Sequence, residues 1–323
     1  MGPNGQQTLK YLKALKIFLK NPAADFKGEQ LKAIHFLNSE IRDLIVIAPT
    51  SSGKSLLFQL TAALNPEMTI VVVVPFKNLL NNQREKLQEA GITHWVFSEN
   101  EQAAPNVQIV LVQVERISSN LLDYLTLLNL KLKLKMVVLD EAHEYVVSQT
   151  YRPKLEKIRL LKRIPVPLLL LSATLPRDLE EAIVKDLHME NAAKMKSPNI
   201  RPNICYYFVV GNSFYSMKKS VIYFLTQLLP EERMIIFVPS RRDCEDMGGR
   251  LGMVVNFYHG EMKDEERERN ERNWREGRTK IMVATTAMGQ GYDYGSVRVV
   301  LQYQRIYSLL QYAQQTGKKI NFF

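Results

Sequence analysis

Cysteine is scarce in this chain. Only Cys205 and Cys244 occur in 323 residues, far apart and in no ligand spacing. A disulfide framework and a four-thiolate zinc site within this chain are therefore excluded, and two unpaired thiols suit a reducing compartment. Long apolar runs are also missing. The longest, Thr69–Val74 and Val166–Leu171, fall far short of the roughly 20 residues a membrane helix needs. The first seven residues, Met1–Gln7, are polar and lack the apolar centre of a secretion signal. No segment is low in complexity and no short repeat recurs. A soluble, intracellular chain with no membrane partner is expected.

What is present is a large apolar fraction, 46%, and an excess of basic over acidic residues that leaves a formal charge of +10. Single cores seldom grow past roughly 250–300 residues, so two domains are expected. The charge points to a polyanionic partner, most simply nucleic acid, although charge alone is a weak indicator.

Residues 8–20 (TLKYLKALKIFLK) place Leu9, Leu12, Leu15 and Leu19 at helical spacing with lysines opposite. A solvated helix packed on the first domain explains this better than a basic face for nucleic acid. From residue 44 onward, short runs (LIVIA, TIVVVV, VQIVLV, MVVLD, PLLLLS) alternate with longer helical stretches. That rhythm predicts an α/β fold with a parallel sheet covered on both faces. KLKLK at 131–135 reads as the approach to a strand with one wet face. Two prolines and two asparagines in 197–204 (SPNIRPNI) mark a linker, after which alternation restarts with MIIFV, MVVNFY, KIMVAT and VRVVLQY. Domains at 1–200 and 201–323 are therefore expected, each built as strand and helix repeated.

Ile45-Val46-Ile47 leads into Ala48-Pro49-Thr50-Ser51-Ser52-Gly53-Lys54-Ser55 and then a helical stretch. A strand, a tight loop and a helix N-terminus make backbone N–H groups converge on phosphate oxygens. In that pattern Thr50, Ser51, Ser52, Gly53, Lys54 and Ser55 hold a nucleotide. Lys54 reaches the β- and γ-phosphates, and the Ser55 hydroxyl takes a position on Mg²⁺. Ala48 stands where the general pattern has its first glycine. Ser51 replaces a second glycine used by many such loops, where left-handed backbone would carry strain.

The strand run ending at Leu139 is followed by Asp140-Glu141-Ala142-His143. Acidic side chains at such a strand tip lie beside the phosphate loop in a doubly wound sheet. Asp140 is then a Mg²⁺ ligand and Glu141 polarises the attacking water. A third run, Leu168–Leu171, ends in Ser172-Ala173-Thr174. These small hydroxyls suit either a relay from the acidic motif or a plain helix N-cap, and the N-cap is the better reading of the tripeptide alone.

With the three motifs in this order, the chain resembles superfamily-two helicases, and its details resemble the RecQ family. The matching pieces are Phe26-Lys27-Gly28-Glu29-Gln30, Pro75-Phe76-Lys77-Asn78-Leu79-Leu80 with Gln83 and Gly91-Ile92, Val114-Glu115-Arg116, and Ser197 with Arg201-Pro202-Asn203. Further along come Ile235–Arg241, Tyr258-His259-Gly260, Val283-Ala284-Thr285 and Gly289-Gln290-Gly291-Tyr292-Asp293. The resemblance implies two tandem RecA-like P-loop NTPase lobes, and a monomer that hydrolyses ATP with Mg²⁺ between them while stepping 3′ to 5′ on single-stranded or partly duplex DNA. It implies catalytic roles for Lys54, Asp140, Glu141 and His143, nucleotide contacts from Gln30, Gly291 and Asp293, and strand contacts from Pro75, Lys77, Arg116, Tyr151, Ser240 and Thr285. Gln30, with a donor and an acceptor, reads the adenine edge. In a eukaryotic host the family implies a nuclear location and work in recombination and repair.

The chain also departs from the family. Glu144–Tyr151 is about one residue shorter than the family's aromatic loop and lacks its tryptophan, leaving Tyr145 or Tyr151 to stack a base. After Gln314-Gln315-Thr316-Gly317, Lys318 and Asn321 stand at two arginine positions. A lysine lacks the planar fork, and loss of an arginine finger typically costs about 10³–10⁵ in turnover. A truncated or decaying copy, or a gene model ended too soon, is one expectation. A degenerate relic that binds ATP and nucleic acid but barely turns over, and an RNA-directed helicase of the same superfamily, are the alternatives.

Overall fold

The computed structural model describes residues 2–49, 52–101, 106–144, 157–198, 204–207, 214–285, 288 and 295–303. The chain divides into two units, Met1–Asn199 and Ile200–Phe323.

In the first unit, seven strands form one parallel sheet: β1 (Leu44–Ile47), β2 (Thr69–Val74), β3 (His94–Val96), β4 (Ile109–Gln113), β5 (Leu134–Leu139), β6 (Leu168–Ser172) and β7 (Ala193–Lys196). Their spatial order is β3-β4-β2-β5-β6-β1-β7. The inner strands are apolar along most of their length because both faces are covered, with polar residues confined to their ends and to Lys135 of β5. Leu44, Val46, Ile70, Val72, Val138 and Leu169 point to one core, beneath α1 (Gly5–Phe18), α2 (Gln30–Ser39), α3 (Lys54–Leu64) and α4 (Lys77–Glu89). Ile45, Ile47, Val71, Val73, Val137 and Leu170 point to the other, beneath α5 (Ser119–Leu130), the short α6 (Ile158–Leu161) and α7 (Arg177–Asp186). A fully buried residue of this size contributes roughly 1.5–3 kcal/mol, so a polar residue alternating into either face would be costly. The edge strand β7 instead alternates, with its lysines Lys194 and Lys196 on the buried carboxylate of Glu180 at 3.1 and 2.6 Å.

The sequence reading needs adjustment at several elements. The N-terminal helix starts at Gly5 rather than at residue 8, because Asn4 and Gln7 form a reciprocal cap. Its buried stripe runs through Tyr11 and Leu15, with Leu12, Ala14 and Phe18 partly covered, while Leu9 and Leu19 are exposed. The stripe spaced from Leu9 is therefore rotated from the one that packs. β5 begins only at Leu134, after Leu132 in left-handed backbone, and Lys135 is its one half-buried position. The two short edge strands β3 and β7 have too few residues to show a pattern in the sequence.

In the second unit, β8 (Arg233–Phe237), β9 (Asn256–Tyr258), β10 (Ile281–Ala284) and β11 (Val297–Gln302) form a parallel sheet in the order β11-β8-β10-β9. Met234, Ile236 and Val283 face α8 (Phe214–Gln227) and α9 (Arg241–Leu251). Ile235, Phe237 and Met282 pack on the other side with Trp274 of α10 (Asp264–Arg275). The run MVVNFY yields a strand only in its second half, since Met253–Val255 close the turn after Gly252.

Candidate nucleotide site at the strand ends of the first unit

β1 lies between β6 and β7, and its pairing continues past its end, with Ala48 N donating to Ser172 O at 3.1 Å. The chain then turns through Pro49, and Gly53 takes left-handed backbone (φ 77°) to open α3. A side chain at this glycine would be strained, and its Cβ would lie 2.7 Å from Gln30 Nε2. No side chain caps α3, and its first turn carries no acid. Lys54 rises on the first turn of α3, and its ammonium donates to the loop carbonyls of Ala48 and Pro49 at 3.1 and 3.3 Å.

Gln30, at the start of α2, holds this loop in place. Its Nε2 donates to Ser52 O at 2.7 Å, and its Oε1 accepts from Lys27 N at 2.8 Å. Both ends of the amide that would read an adenine edge are thus engaged with the protein. Thr50 and Ser51, the other loop residues expected to hold the nucleotide, lie outside the described residues.

Beside the loop, β5 ends between β2 and β6. Asp140 N donates to Val73 O at 3.0 Å on one side, and Ala142 N donates to Leu171 O at 2.8 Å on the other. Glu141, between them, is in left-handed backbone (φ 52°), which is costly for a residue with a side chain and collects at functional sites. Its N–H donates to Asp140 Oδ1 at 3.0 Å. Burial, and then the neighbouring Glu141, push Asp140 up to about 6, while Lys54 and hydrogen bonds from Glu141 N–H and Gln83 act the other way. A carboxylate held at this cost is one that a cation would stabilise.

Gln83, on the buried face of α4, reaches both phosphate-site motifs. Its Nε2 donates to Ser55 Oγ and to Asp140 Oδ2, each at 3.1 Å. Four buried polar atoms of these motifs and of Gln83 have no hydrogen-bond partner among the described residues: Ser52 Oγ, Gln83 Oε1, Glu141 Oε2 and Thr174 Oγ1. Glu141 Oε2 lies 3.5 Å from His143 Nδ1, too far for a hydrogen bond. Such atoms are expensive to leave without a partner, and two of them belong to Gln83 and Glu141, which both bond to Asp140. Ser55 and Asp140 suit Mg²⁺, which takes oxygen ligands and keeps most of its waters.

His143 is buried, and its Nδ1 is 3.0 Å from Ser172 Oγ, whose hydroxyl donates to Thr174 O at 2.9 Å. The contact ties the acidic motif to the end of β6. The tripeptide 172–174 is therefore not an N-cap. The following helix, α7, is capped at Pro176 with no side-chain bond, and the Ser172 hydroxyl instead meets His143 of the acidic motif.

Three expected strand contacts sit at neighbouring strand ends. Pro75 follows β2, is buried, and lines a hollow with Asp140, Glu141 and Glu144. Lys77 opens α4, and Arg116 ends the single 3₁₀ turn Val114–Arg116 after β4; both are exposed. In the second unit Ser240 caps α9, its Oγ accepting from Asp243 N at 3.1 Å, and Thr285 follows β10 with its N–H on Tyr258 O. Gly291, Asp293 and Tyr151, together with Tyr145, Arg201–Asn203, Lys318 and Asn321, lie outside the described residues.

The bonds of Gln83, the contact of His143 with Ser172 and the left-handed backbone of Glu141 were not evident from motif order. For Gln83 a signal existed: it is a polar residue on the same helical face as Leu79, Leu80 and Leu87.

Comparison with known proteins follows this geometry. Residues 27–182 match the model described as DEAD/DEAH box helicase, and residues 218–320 match the helicase conserved C-terminal domain. The ATP-dependent DNA helicase hus2/rqh1 of Schizosaccharomyces pombe is 31% identical over 91% of this chain and 24% of its own length. The RecQ-like DNA helicase blm-1 of Caenorhabditis elegans is 30% identical over 85% of this chain and 30% of its own. The chain thus spans about a quarter to a third of the length of these relatives. The solved structure of the helicase MrfA with DNA and AMPPNP superposes with a TM-score of 0.73 at 20% identity, covering 98% of this chain and 49% of that one. Both sheets, their flanking helices and this likeness define two tandem RecA-like lobes. With the two models matched in order along one chain, this protein carries a DEAD/DEAH box helicase domain followed by a helicase conserved C-terminal domain, and it is similar to the RecQ-like DNA helicases.

Proposed function

We propose that this chain is the ATP-driven motor core of a DNA helicase, binding ATP with Mg²⁺ at the strand ends of the first unit and stepping 3′ to 5′ along one strand. The observation that carries the reading is the meeting of the two motifs, Ser55 after the loop and Asp140 at the acidic strand end both bonded by Gln83, whose buried Oε1 has no partner among the described residues. The names of the relatives, DNA helicases with RecQ-like features, support DNA as the track.

Lys54 exchanges neutral carbonyl partners for phosphate oxygens, to which charge-assisted bonds are about twice as strong. Ser55 and Asp140 hold the cation, and Glu141 orients water for attack on the γ-phosphate. Magnesium, when bound, neutralises charge on the β- and γ-phosphates. His143 and Ser172 keep Glu141 and the end of β6 in register. Lys77 and Arg116 offer cations to phosphodiesters, with Pro75 between them and the acidic motif, so strand affinity falls with salt and is nearly sequence-blind. Ser240 and Thr285 add polar contacts from the second unit, and Tyr151, Gly291 and Asp293 complete the proposed contacts to strand and nucleotide. We place the protein in the nucleus if its host is eukaryotic, acting as a monomer.

An RNA track is the second reading. One relative, at 26% identity over 96% of the chain, is named a putative ATP-dependent RNA helicase, from Acanthamoeba polyphaga mimivirus. ATP hydrolysis measured with and without matched DNA and RNA single strands at one salt concentration separates the two. DNA stimulation that Lys54→Ala removes is expected. Stimulation by RNA alone overturns the DNA reading, and turnover indifferent to Lys54→Ala overturns the motor.

A further inference from the structure

We propose that Gln83 is a positioning residue for the magnesium ligands, the piece of α4 that sets Ser55 and Asp140 in one arrangement and offers its own carbonyl to the metal's hydration shell. The proposal rests on the nucleotide reading above and deepens it.

Gln83 is 2% exposed in a helix whose other buried positions are Leu79, Leu80 and Leu87. An apolar residue would fill that position at no desolvation cost, and an amide there is tolerated only if its polar atoms are used. Both hydrogens of Nε2 are used, one on Ser55 Oγ and one on Asp140 Oδ2. By accepting from Gln83, the Ser55 hydroxyl keeps one lone pair for a cation and its proton for a phosphate oxygen. Asp140 has Oδ1 held by Glu141 N and Oδ2 by Gln83, so its plane is fixed at both oxygens. The remaining atom, Gln83 Oε1, is buried and accepts from none of the described residues. A donor is therefore wanted beside two magnesium ligands, and a metal-bound water is the donor that a hydrated Mg²⁺ supplies. Because α4 opens with Lys77, the helix proposed to touch the strand is the one that holds the metal ligands.

The test is binding of a fluorescent, non-hydrolysable ATP analogue to the full chain, first in chelator and then across a magnesium titration. Outer-shell partners of metal ligands are typically worth about 10–100-fold in metal affinity. Gln83→Met, close in volume, is expected to raise the magnesium midpoint by about 10-fold or more on that basis, while analogue binding in chelator stays as in the parent. Gln83→Asn, which keeps the amide but withdraws it by one methylene, is expected to shift the midpoint in the same direction and serves if the first variant does not fold. Combining Gln83→Met with Ser55→Ala is expected to add less than the sum of the two shifts. A folded variant with an unshifted magnesium midpoint overturns the role of Gln83 and leaves the motor standing. A parent chain that binds no analogue with magnesium overturns the nucleotide site itself.

Discussion

Both units run a strand into a helix at the sheet's C-terminal edge, yet the first turns of the helices after β1 and β8 are built differently. After β1, Gly53 opens α3 in left-handed backbone, no side chain caps the helix, and no acid sits in its first turn. After β8, Ser240 caps α9 with its own hydroxyl, and Asp243 places a carboxylate in the first turn. α10 begins with Asp264, Glu265 and Glu266. Helix N-termini attract anions through oriented N–H groups and the helix dipole. The helix after β8 meets that demand with its own side chains, and the helix after β1 does not. The two sheets differ in size and strand order, but a strand running into a helix is common to both, so that connection alone says little about where an anion is favoured, and the first turns after β1 and β8 say more.

The sharpest way to break this contrast is to exchange effects between the two helices. Lys54→Ala is expected to lower ATP turnover at least about 100-fold, the scale of losing one aligned electrostatic group, whereas Ser240→Ala is expected to leave analogue binding unchanged. A comparable loss of nucleotide from both variants would mean that the cradle is not confined to α3. Gly53→Ala follows closely, because left-handed φ and the 2.7 Å approach to Gln30 oppose any Cβ. Loss of analogue binding by a folded Gly53→Ala protein is expected, and retained binding would show that the loop tolerates another path.

Asp140→Asn sharpens the comparison through stability. Asp140 carries a raised value of about 6, so the native state favours its proton. That favourable contribution is whole below the ordinary carboxylate range and lost as pH rises through about 6. The nucleotide-free variant, with no charge to bury, is expected to be more stable by about 1–3 kcal/mol at about pH 8, a gain that shrinks at about pH 4.5. Hydrolysis is expected to be lost. Thermal unfolding at both pH values checks the first claim, and destabilisation at high pH would contradict it.

Smaller effects belong to the second unit. Ser240→Ala removes a cap and is expected to cost about 1 kcal/mol of that unit's stability, read by chemical denaturation. Smallest is a difference between thiols. Cys244 is buried on Tyr258 and Val283 carbonyls, and burial pushes its thiol up to about 12, whereas Cys205 is exposed. A thiol reagent is expected to label Cys205 in the folded chain and reach Cys244 only on unfolding.

Much of this was legible beforehand, for identifiable reasons. The strands β1, β2, β4, β5, β6, β8 and β10 announce themselves because a parallel strand covered on both faces must be apolar along its length. Gly53, Lys54, Ser55 and Asp140 are legible because phosphate and magnesium admit few residue types at the end of such a strand. β3 and β7 escaped because three or four residues at an edge show no period, and the buried stripe of α1 escaped because two overlapping sets of apolar side chains compete in its sequence.

The sequence by itself determined the sheet class, the two-part division of alternating elements and the identity of the phosphate and acidic motifs, since local pattern and composition carry those. Only the tertiary structure decided that Gln83 joins Ser55 to Asp140, that His143 meets Ser172, and that Gln30 holds the loop at Ser52. Those bonds span 28, 57, 29 and 22 positions of the chain. They depend on which strand lies beside which, and burial then makes each unpaired polar atom too costly to leave without a partner.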